Sequence, residues 1–486
     1  MSNVLRKHNI SQSQTNRLEH SRGNALIRTI RESIYFFLIC LLASGFSPLA
    51  FSQETATQSS ETKLDEAVEA SKDPQQDSDE HAKDLKSSEI VWNTIIETWW
   101  KSEEELVAWE KQKQSFTSRV SSAKSREEVR KLQRELIDKL KASHYGIIPG
   151  ELYKKLGVKE DGKIDTSKLG SVGLKYRLVD DQAVVYHVVE GSAADQAGVK
   201  PGWLLKSVKD QDVPELIAEL KEALTGKRFS VASMVGLRLS NMSDDTLGDK
   251  LKLVLLDEKN ESHHLDLEML EPTGKWIRFG NLPPLLLDIE NKTLEDGTQY
   301  FSFNAFFDPV TLMGQFDKAL EEARKSDKLV IDLRGNHGGI GGITMGMGRH
   351  LVQEEKYLGK MLFPTNEIKF ALSPAADPFS GKVAVLIDEC SFSSAEILAG
   401  GLQAIGRARV FGSRTGGLAL PSIVKKLPNG DFFQYAICDY VSFDGSRIEG
   451  NGVAPDEEIP LTQKDLLDGR DRALETATAW MNKVEQ

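Results

Sequence analysis

The chain has 486 residues, 40% hydrophobic and 28% charged, with 61 Lys and Arg against 73 Asp and Glu and a formal net charge of −12. This excludes a collagen, a coiled coil, a multi-span membrane protein and a wholly disordered chain, and the length suits two to four domains of roughly 100–200 residues. An acidic balance argues against nucleic acid as the main partner, since phosphate binding needs surplus Lys and Arg, and three cysteines are too few for a disulfide framework.

The N-terminus differs from the rest. Arg6, Lys7, Arg17, Arg22, Arg28 and Arg31 stand against Glu19 and Glu32, and an apolar run follows from Ile34 to Phe51. A basic flank, an apolar stretch and the small residues Ala50 and Ser52 read as an export signal over residues 1–52, cleaved after Ser52. The competing reading is an uncleaved membrane anchor over residues 33–51. Either places the protein outside the cytoplasm, periplasmic or extracellular. Residues 53–90 carry eleven acidic and four basic side chains and almost no large apolar ones. Such a tract cannot bury enough surface to offset its chain entropy and is expected to be a disordered linker.

Order is expected from residue 91. Trp92, Ile95, Ile96, Trp99, Trp100, Leu106 and Trp109 recur at helical spacing, as do Val129, Leu132, Leu136, Ile137 and Leu140. These define a helical region over 91–165, ending its second helix near Ala142-Ser143-His144-Tyr145-Gly146. From residue 166 to 272 the pattern turns β-rich. The stretch Gly191-Ser192-Ala193-Ala194-Asp195-Gln196-Ala197-Gly198-Val199-Lys200-Pro201-Gly202-Trp203 resembles the PDZ signature. A PDZ domain binds an extended peptide as an added strand, with loop N–H groups on the terminal carboxylate. By this resemblance the loop is Val172-Gly173-Leu174. The stretch 209–250 is longer than the family pattern, which implies an insertion.

Residues 273–486 alternate strand and helix. Lys328-Leu329-Val330-Ile331-Asp332-Leu333 runs into the glycine-rich turn Arg334-Gly335-Asn336-His337-Gly338-Gly339, and Val383-Ala384-Val385-Leu386-Ile387-Asp388 runs into Glu389-Cys390-Ser391-Phe392-Ser393-Ser394 before a helix. The pattern is α/β, with chemistry expected at strand C-termini. A serine there can be a nucleophile held at a helix N-terminus or simply an N-cap. The glycine turn can cradle an anion or only make a tight turn; it lacks the Lys-Ser/Thr ending of a nucleotide loop. No metal-ligand set and no cofactor loop is apparent.

Taken together, IDLRGNHGG, VAVLIDECSFSSAEILAGGLQ, FGSRTGG and IEGNGVAPD resemble the S41 family of tail-specific, or C-terminal processing, serine peptidases. The resemblance runs from about residue 90 to 480. It implies a ClpP/crotonase-like α/β core with a PDZ-like domain inserted after an N-terminal helical region, no cofactor, and polypeptide substrates recognised through the C-terminus. One branch of the family uses a Ser–Lys dyad, but the family spacing counted from Ser393 lands on Leu418, and Lys425 and Lys426 follow in an expected strand. The other branch, similar to the tricorn core protease, uses a Ser–His–Ser–Glu tetrad. Its positions here are filled by Ser393, His144, Ser143 and Glu449.

The roles implied are specific. Ser393 attacks, His144 takes and returns the proton, Ser143 and Glu449 orient the imidazole, and the N–H groups of Gly339 and Ser394 receive the oxyanion. A side chain at 339 is expected to obstruct substrate. Other candidates have plainer readings: His337 as a second base or a turn residue, Cys390 as a thiol nucleophile or a small buried residue, His263 and His264 on opposite strand faces, and His187 as a structural strand residue. The same fold also resembles non-proteolytic repeats that bind hydrophobic ligands, so a binding protein is the alternative function.

Overall fold

The computed structural model describes residues 74–483, apart from 101–102, 160 and 226–229. The export signal or anchor over 1–52, and the linker over 53–73, lie outside the described residues.

A six-stranded sheet organises the C-terminal half, in the order Ile289–Thr293, Gln299–Phe303, Lys328–Asp332, Lys382–Ile387, Arg409–Gly412 and Glu457–Glu458. The first pair is antiparallel and every later pair is parallel. The inner strands Lys328–Asp332 and Lys382–Ile387 read as continuous apolar runs because both faces are covered. Alternate residues divide between two cores: Leu329, Ile331, Val383, Val385 and Ile387 face one side, and Val330, Ala384 and Leu386 the other. The first side is covered by the helices Pro309–Ala323, Gly341–Arg349 and Ser394–Ala404, and the second by Arg472–Met481. The parallel order brings the C-terminal ends of Lys328–Asp332 and Lys382–Ile387 side by side, and the two turns expected to carry chemistry leave from there.

The β-rich unit has its own core. Leu174–Val179, Gln182–Val188, Leu204–Val208, Lys250–Leu256 and Ser262–Glu268 follow one another as an antiparallel sheet. Apolar residues from these strands and from the helices Val213–Leu224 and Val231–Met242 close over it. Those two helices fill the stretch 209–250 that is longer than expected. Apolar contacts help dock the unit on the rest of the chain. Leu237 meets Cys390, Phe392 and Leu418 in a small apolar cluster, and Val179, Val184 and Leu204 pack with Leu461 and Leu466.

The N-terminal helices Pro74–Thr98, Glu103–Glu110, Lys113–Ser121 and Arg126–Asp138 differ from the expectation in one respect. The first begins at Pro74, inside the stretch expected to be a disordered linker to residue 90. Composition misleads there because the helix is held by polar contacts from distant residues. Asp84, Ser87 and Ser88 are buried. Asn429 donates from its side chain to Asp84 at 2.8 Å and from its backbone to Ser87 at 3.1 Å. Arg126 donates to Asp84 at 3.0 Å and Gln133 to Ser88 at 2.9 Å. Buried polar groups are tolerable when so partnered. The tryptophan stripe is core, as the spacing predicts: Trp92 stacks with Trp109 and Phe116. This core also takes in Leu420, Leu427, Phe433, Tyr435 and Ile437, so the helical region and the α/β region share a core across their expected boundary.

Candidate active site

The nucleophile candidate sits on a strained turn. Ser393 has φ 55° and ψ −115°, a conformation uncommon for a residue with a Cβ, directly before the helix Ser394–Ala404. It is fully buried, and its hydroxyl has no hydrogen-bond partner among the described residues. A strained, unpartnered serine at a helix start is how a hydroxyl is presented for attack. Much of the turn is held by Asp388. One of its carboxylate oxygens accepts from the N–H groups of Gly335 at 2.8 Å and Cys390 at 3.0 Å, and the other from Arg177 Nε at 2.9 Å.

The glycine turn lies against it. Phe392 N–H donates to the Asn336 carbonyl at 2.9 Å, and Ser394 Oγ donates to the Gly339 carbonyl at 2.8 Å. Gly339 has φ 148°, and a Cβ there would stand 2.3 Å from the Phe306 carbonyl oxygen. The structure adds a reason for glycine at 339 that the sequence reading did not include: the Phe306 backbone is pressed against it.

The base candidate is assembled from segments remote in the chain. Ser143 and His144 lie on the turn between the helix Arg126–Asp138 and the strand Gly146–Ile148, which pairs with Phe432–Ala436. Glu449 Oε1 accepts the Ser143 N–H at 2.8 Å. Its Oε2 accepts the Ser143 hydroxyl at 2.8 Å and the Ala419 N–H at 3.2 Å. Ser143 Oγ lies 2.7 Å from His144 Nδ1. A hydroxyl has one proton, so when Ser143 donates to Glu449 it must accept from His144 Nδ1–H. Nε2 is then left as the proton acceptor. All three side chains are buried, and burial pushes the His144 imidazole down to about 3. It is therefore neutral at pH 7, as a base must be. The adjacent Tyr145 stacks on Trp100, which ties the turn to the aromatic core.

The structure joins Glu449, Ser143 and His144 by hydrogen bonds, but no hydrogen bond links His144 to Ser393. The other candidates have surroundings of their own. Leu418 is buried, with its N–H on Glu396 at 2.9 Å. Lys425 and Lys426 are exposed on the strand Ser422–Lys426. Cys390 and Cys438 are buried free thiols, and burial raises both well above their ordinary range. His337 is lowered to about 4 by burial and stacks on Phe392. His263 pairs with Asp257 at 2.9 Å and stacks on Trp203. His187, on Gln182–Val188, is lowered by burial. In the Val172-Gly173-Leu174 loop, Val172 N–H donates to the Ser243 carbonyl at 3.3 Å and Gly173 N–H to Ser171 Oγ at 3.0 Å. Two of the loop's three N–H groups are thus engaged within the chain. Among the described residues no group of three or more His, Cys, Asp or Glu side chains could hold a metal ion.

Two features escape a sequence reading. Glu396, fully buried, accepts from the Ser393 N–H at 2.9 Å; the pattern Ser-x-x-Glu signals such a cap. The Arg177–Asp388 pair carries no local signal at all.

The chain is similar in sequence and in fold to known proteins. The family model described as Peptidase family S41 matches residues 299–459. A "Probable CtpA-like serine protease" of Staphylococcus haemolyticus (strain JCSC1435) is 23% identical over 296 residues, which is 60% of this chain and 53% of the relative. One of the same description from Staphylococcus aureus (strain bovine RF122 / ET3-1) is 24% identical over 302 residues, 59% of this chain and 52% of the relative. The chain thus spans about half the length of the curated relatives it matches. A solved photosystem II D1 C-terminal processing protease shares the fold with a TM-score of 0.54 at 17% identity, covering 82% of this chain and 97% of that one. Mature CPAF complexed with lactacystin also gives 0.54, at 13% identity, covering 83% of this chain and 98% of that one.

Proposed function

We propose that this chain is a serine-type endopeptidase on an S41 peptidase core. Ser393 is the nucleophile, His144 the general base and acid, Ser143 and Glu449 the relay that orients His144, and the N–H groups of Gly339 and Ser394 the oxyanion donors. The observation that carries this reading is the buried hydrogen-bonded chain Glu449–Ser143–His144, beside which stands a second one, that Ser393 is buried, strained and unpartnered. Serine hydroxyl is a weak nucleophile at neutral pH, so attack requires a base to take its proton. The proton on His144 Nε2 then passes to the leaving amine, and the imidazolium formed in between is stabilised through Ser143 by Glu449. Water repeats the cycle on the acyl-enzyme.

The substrates are polypeptides. The β-rich unit is read as a PDZ domain that recruits them as an added strand, by the C-terminus. Capture by the Val172-Gly173-Leu174 loop requires the bonds to Ser243 and Ser171 to exchange for bonds to the peptide. The basic and apolar N-terminus supports export, with attachment to the membrane where the segment is retained.

Cleavage of casein or of tailed peptides by wild type and by Ser393→Ala tests the assignment; undiminished cleavage by the variant sinks it. The missing His144–Ser393 hydrogen bond favours a second reading, a ligand-binding protein on the same fold. Labelling by a fluorophosphonate probe, lost in His144→Ala, separates the two.

A further inference from the structure

Glu396 is placed unlike an ordinary helix-capping residue. Its Oε2 accepts the N–H of Ser393 at 2.9 Å and of Leu418 at 2.9 Å. Its Oε1 accepts the Thr415 hydroxyl at 2.6 Å and the Gly417 N–H at 2.7 Å. Four donors from two segments therefore converge on one carboxylate. The segment 415–419 ends on the second carboxylate of the site, since Ala419 N–H donates to Glu449 at 3.2 Å. Its register is held further by Gly450 N–H on the Gly417 carbonyl and by Thr415 N–H on the Val453 carbonyl. One short strap thus lies between the turn bearing Ser393 and the carboxylate that orients Ser143 and His144.

We propose that Glu396 is a positioning residue, whose carboxylate ties the strained Ser393 turn to the 415–419 strap and so sets the nucleophile relative to the His144 relay. This rests on the peptidase reading above. The physical need is plain. Ser393 and His144 come from remote segments, and a displacement of about 1 Å between reacting groups can cost about 100-fold in rate. A carboxylate presents only acceptors, which is what four donors require. An amide at 396 turns one acceptor into a donor facing two others. Burial raises the carboxyl to about 7 while the bonds from Thr415, Ser393, Gly417 and Leu418 lower it. The groups facing it are those four donors, with Glu449 at the other end of the strap. Burial holds the His144 imidazole well below this value.

The test is steady-state cleavage of a fluorogenic peptide across pH 5–9 by wild type, Glu396→Gln, Glu396→Asp and Ser393→Ala, with thermal unfolding of each. Glu396→Gln is expected to lower kcat by about 100-fold with KM nearly unchanged, and to remove an ionisation near pH 7 where the wild-type profile has one. Should the Gln variant fail to fold, Glu396→Asp decides: a lowered kcat at unchanged KM upholds the proposal. Wild-type kcat in either folded variant overturns it. Full activity in Ser393→Ala would instead remove the peptidase reading, a separate result.

Discussion

Ser143 and Glu449 lie 306 residues apart in the chain and meet through two hydrogen bonds, from the serine N–H and hydroxyl to the two carboxylate oxygens. The backbone bond fixes where the turn sits, and the side-chain bond fixes which way the Ser143 proton points. The His144 tautomer follows from the second. The base is therefore set by contacts between segments far apart in the chain.

Glu449→Gln tests that arrangement. An amide in place of the carboxylate puts an NH2 against Ser143 or Ala419 donors and removes the charge that favours the imidazolium. We expect kcat to fall by at least about 100-fold with little change in KM, as steady-state kinetics would show. A variant with wild-type kcat would remove Glu449 from the relay.

Arg177→Ala should be costly to stability. Arg177 and Asp388 are largely buried, and their side chains meet at 2.9 Å where the β-rich unit docks on the Ser393 turn. Arg177 also lies over the Tyr186 ring at 4.5 Å. Removing one partner of a buried pair leaves an uncompensated charge, a loss of about 3–5 kcal/mol. Urea unfolding measures it, and a loss below about 1 kcal/mol would show the pair to be dispensable.

Glu389→Gln should raise stability in a pH-dependent way. Burial, and then the neighbouring Asp388 charge, hold the Glu389 carboxyl above its ordinary 4.5. The folded state thus binds the proton more tightly than the unfolded chain. Its contribution is present below pH 4.5 and is lost as pH rises through the raised folded value. The variant should match wild type at pH 4.5 and show a higher Tm at pH 8. Equal Tm values at pH 8 would contradict the sign.

Gly339→Ala should damage both fold and activity. The added Cβ would stand 2.3 Å from the Phe306 carbonyl oxygen at a φ of 148°, where an L side chain is strained. A loss of about 1–3 kcal/mol is expected, together with reduced kcat as the glycine turn shifts. Thermal unfolding and kinetics on the same preparation would check both.

Much of this was legible in particular residues. The apolar runs at Lys328–Asp332 and Val383–Ile387 announce buried parallel strands, because a sheet covered on both faces leaves no polar side. The tryptophan spacing from Trp92 to Trp109 announces a helical core. The roles given to Ser143, His144, Ser393 and Glu449 came from resemblance, since each alone is an ordinary turn or cap residue. Residues 74–90 were misread as linker because their partners, Asn429, Arg126 and Gln133, are remote in the chain.

The amino-acid sequence alone determined the fold class, the order of helical, β-rich and α/β regions, and the residue types available for chemistry, since these depend on local periodicity and on short patterns. Only the tertiary structure decided which carboxylate orients which serine, that Phe306 is what demands glycine at 339, that Glu396 joins the Ser393 turn to the 415–419 strap, and that the first helix reaches back to Pro74. Each of these is a contact between segments distant in sequence. The geometry of such a contact is set by packing of the whole chain and leaves no periodic or compositional trace at either end.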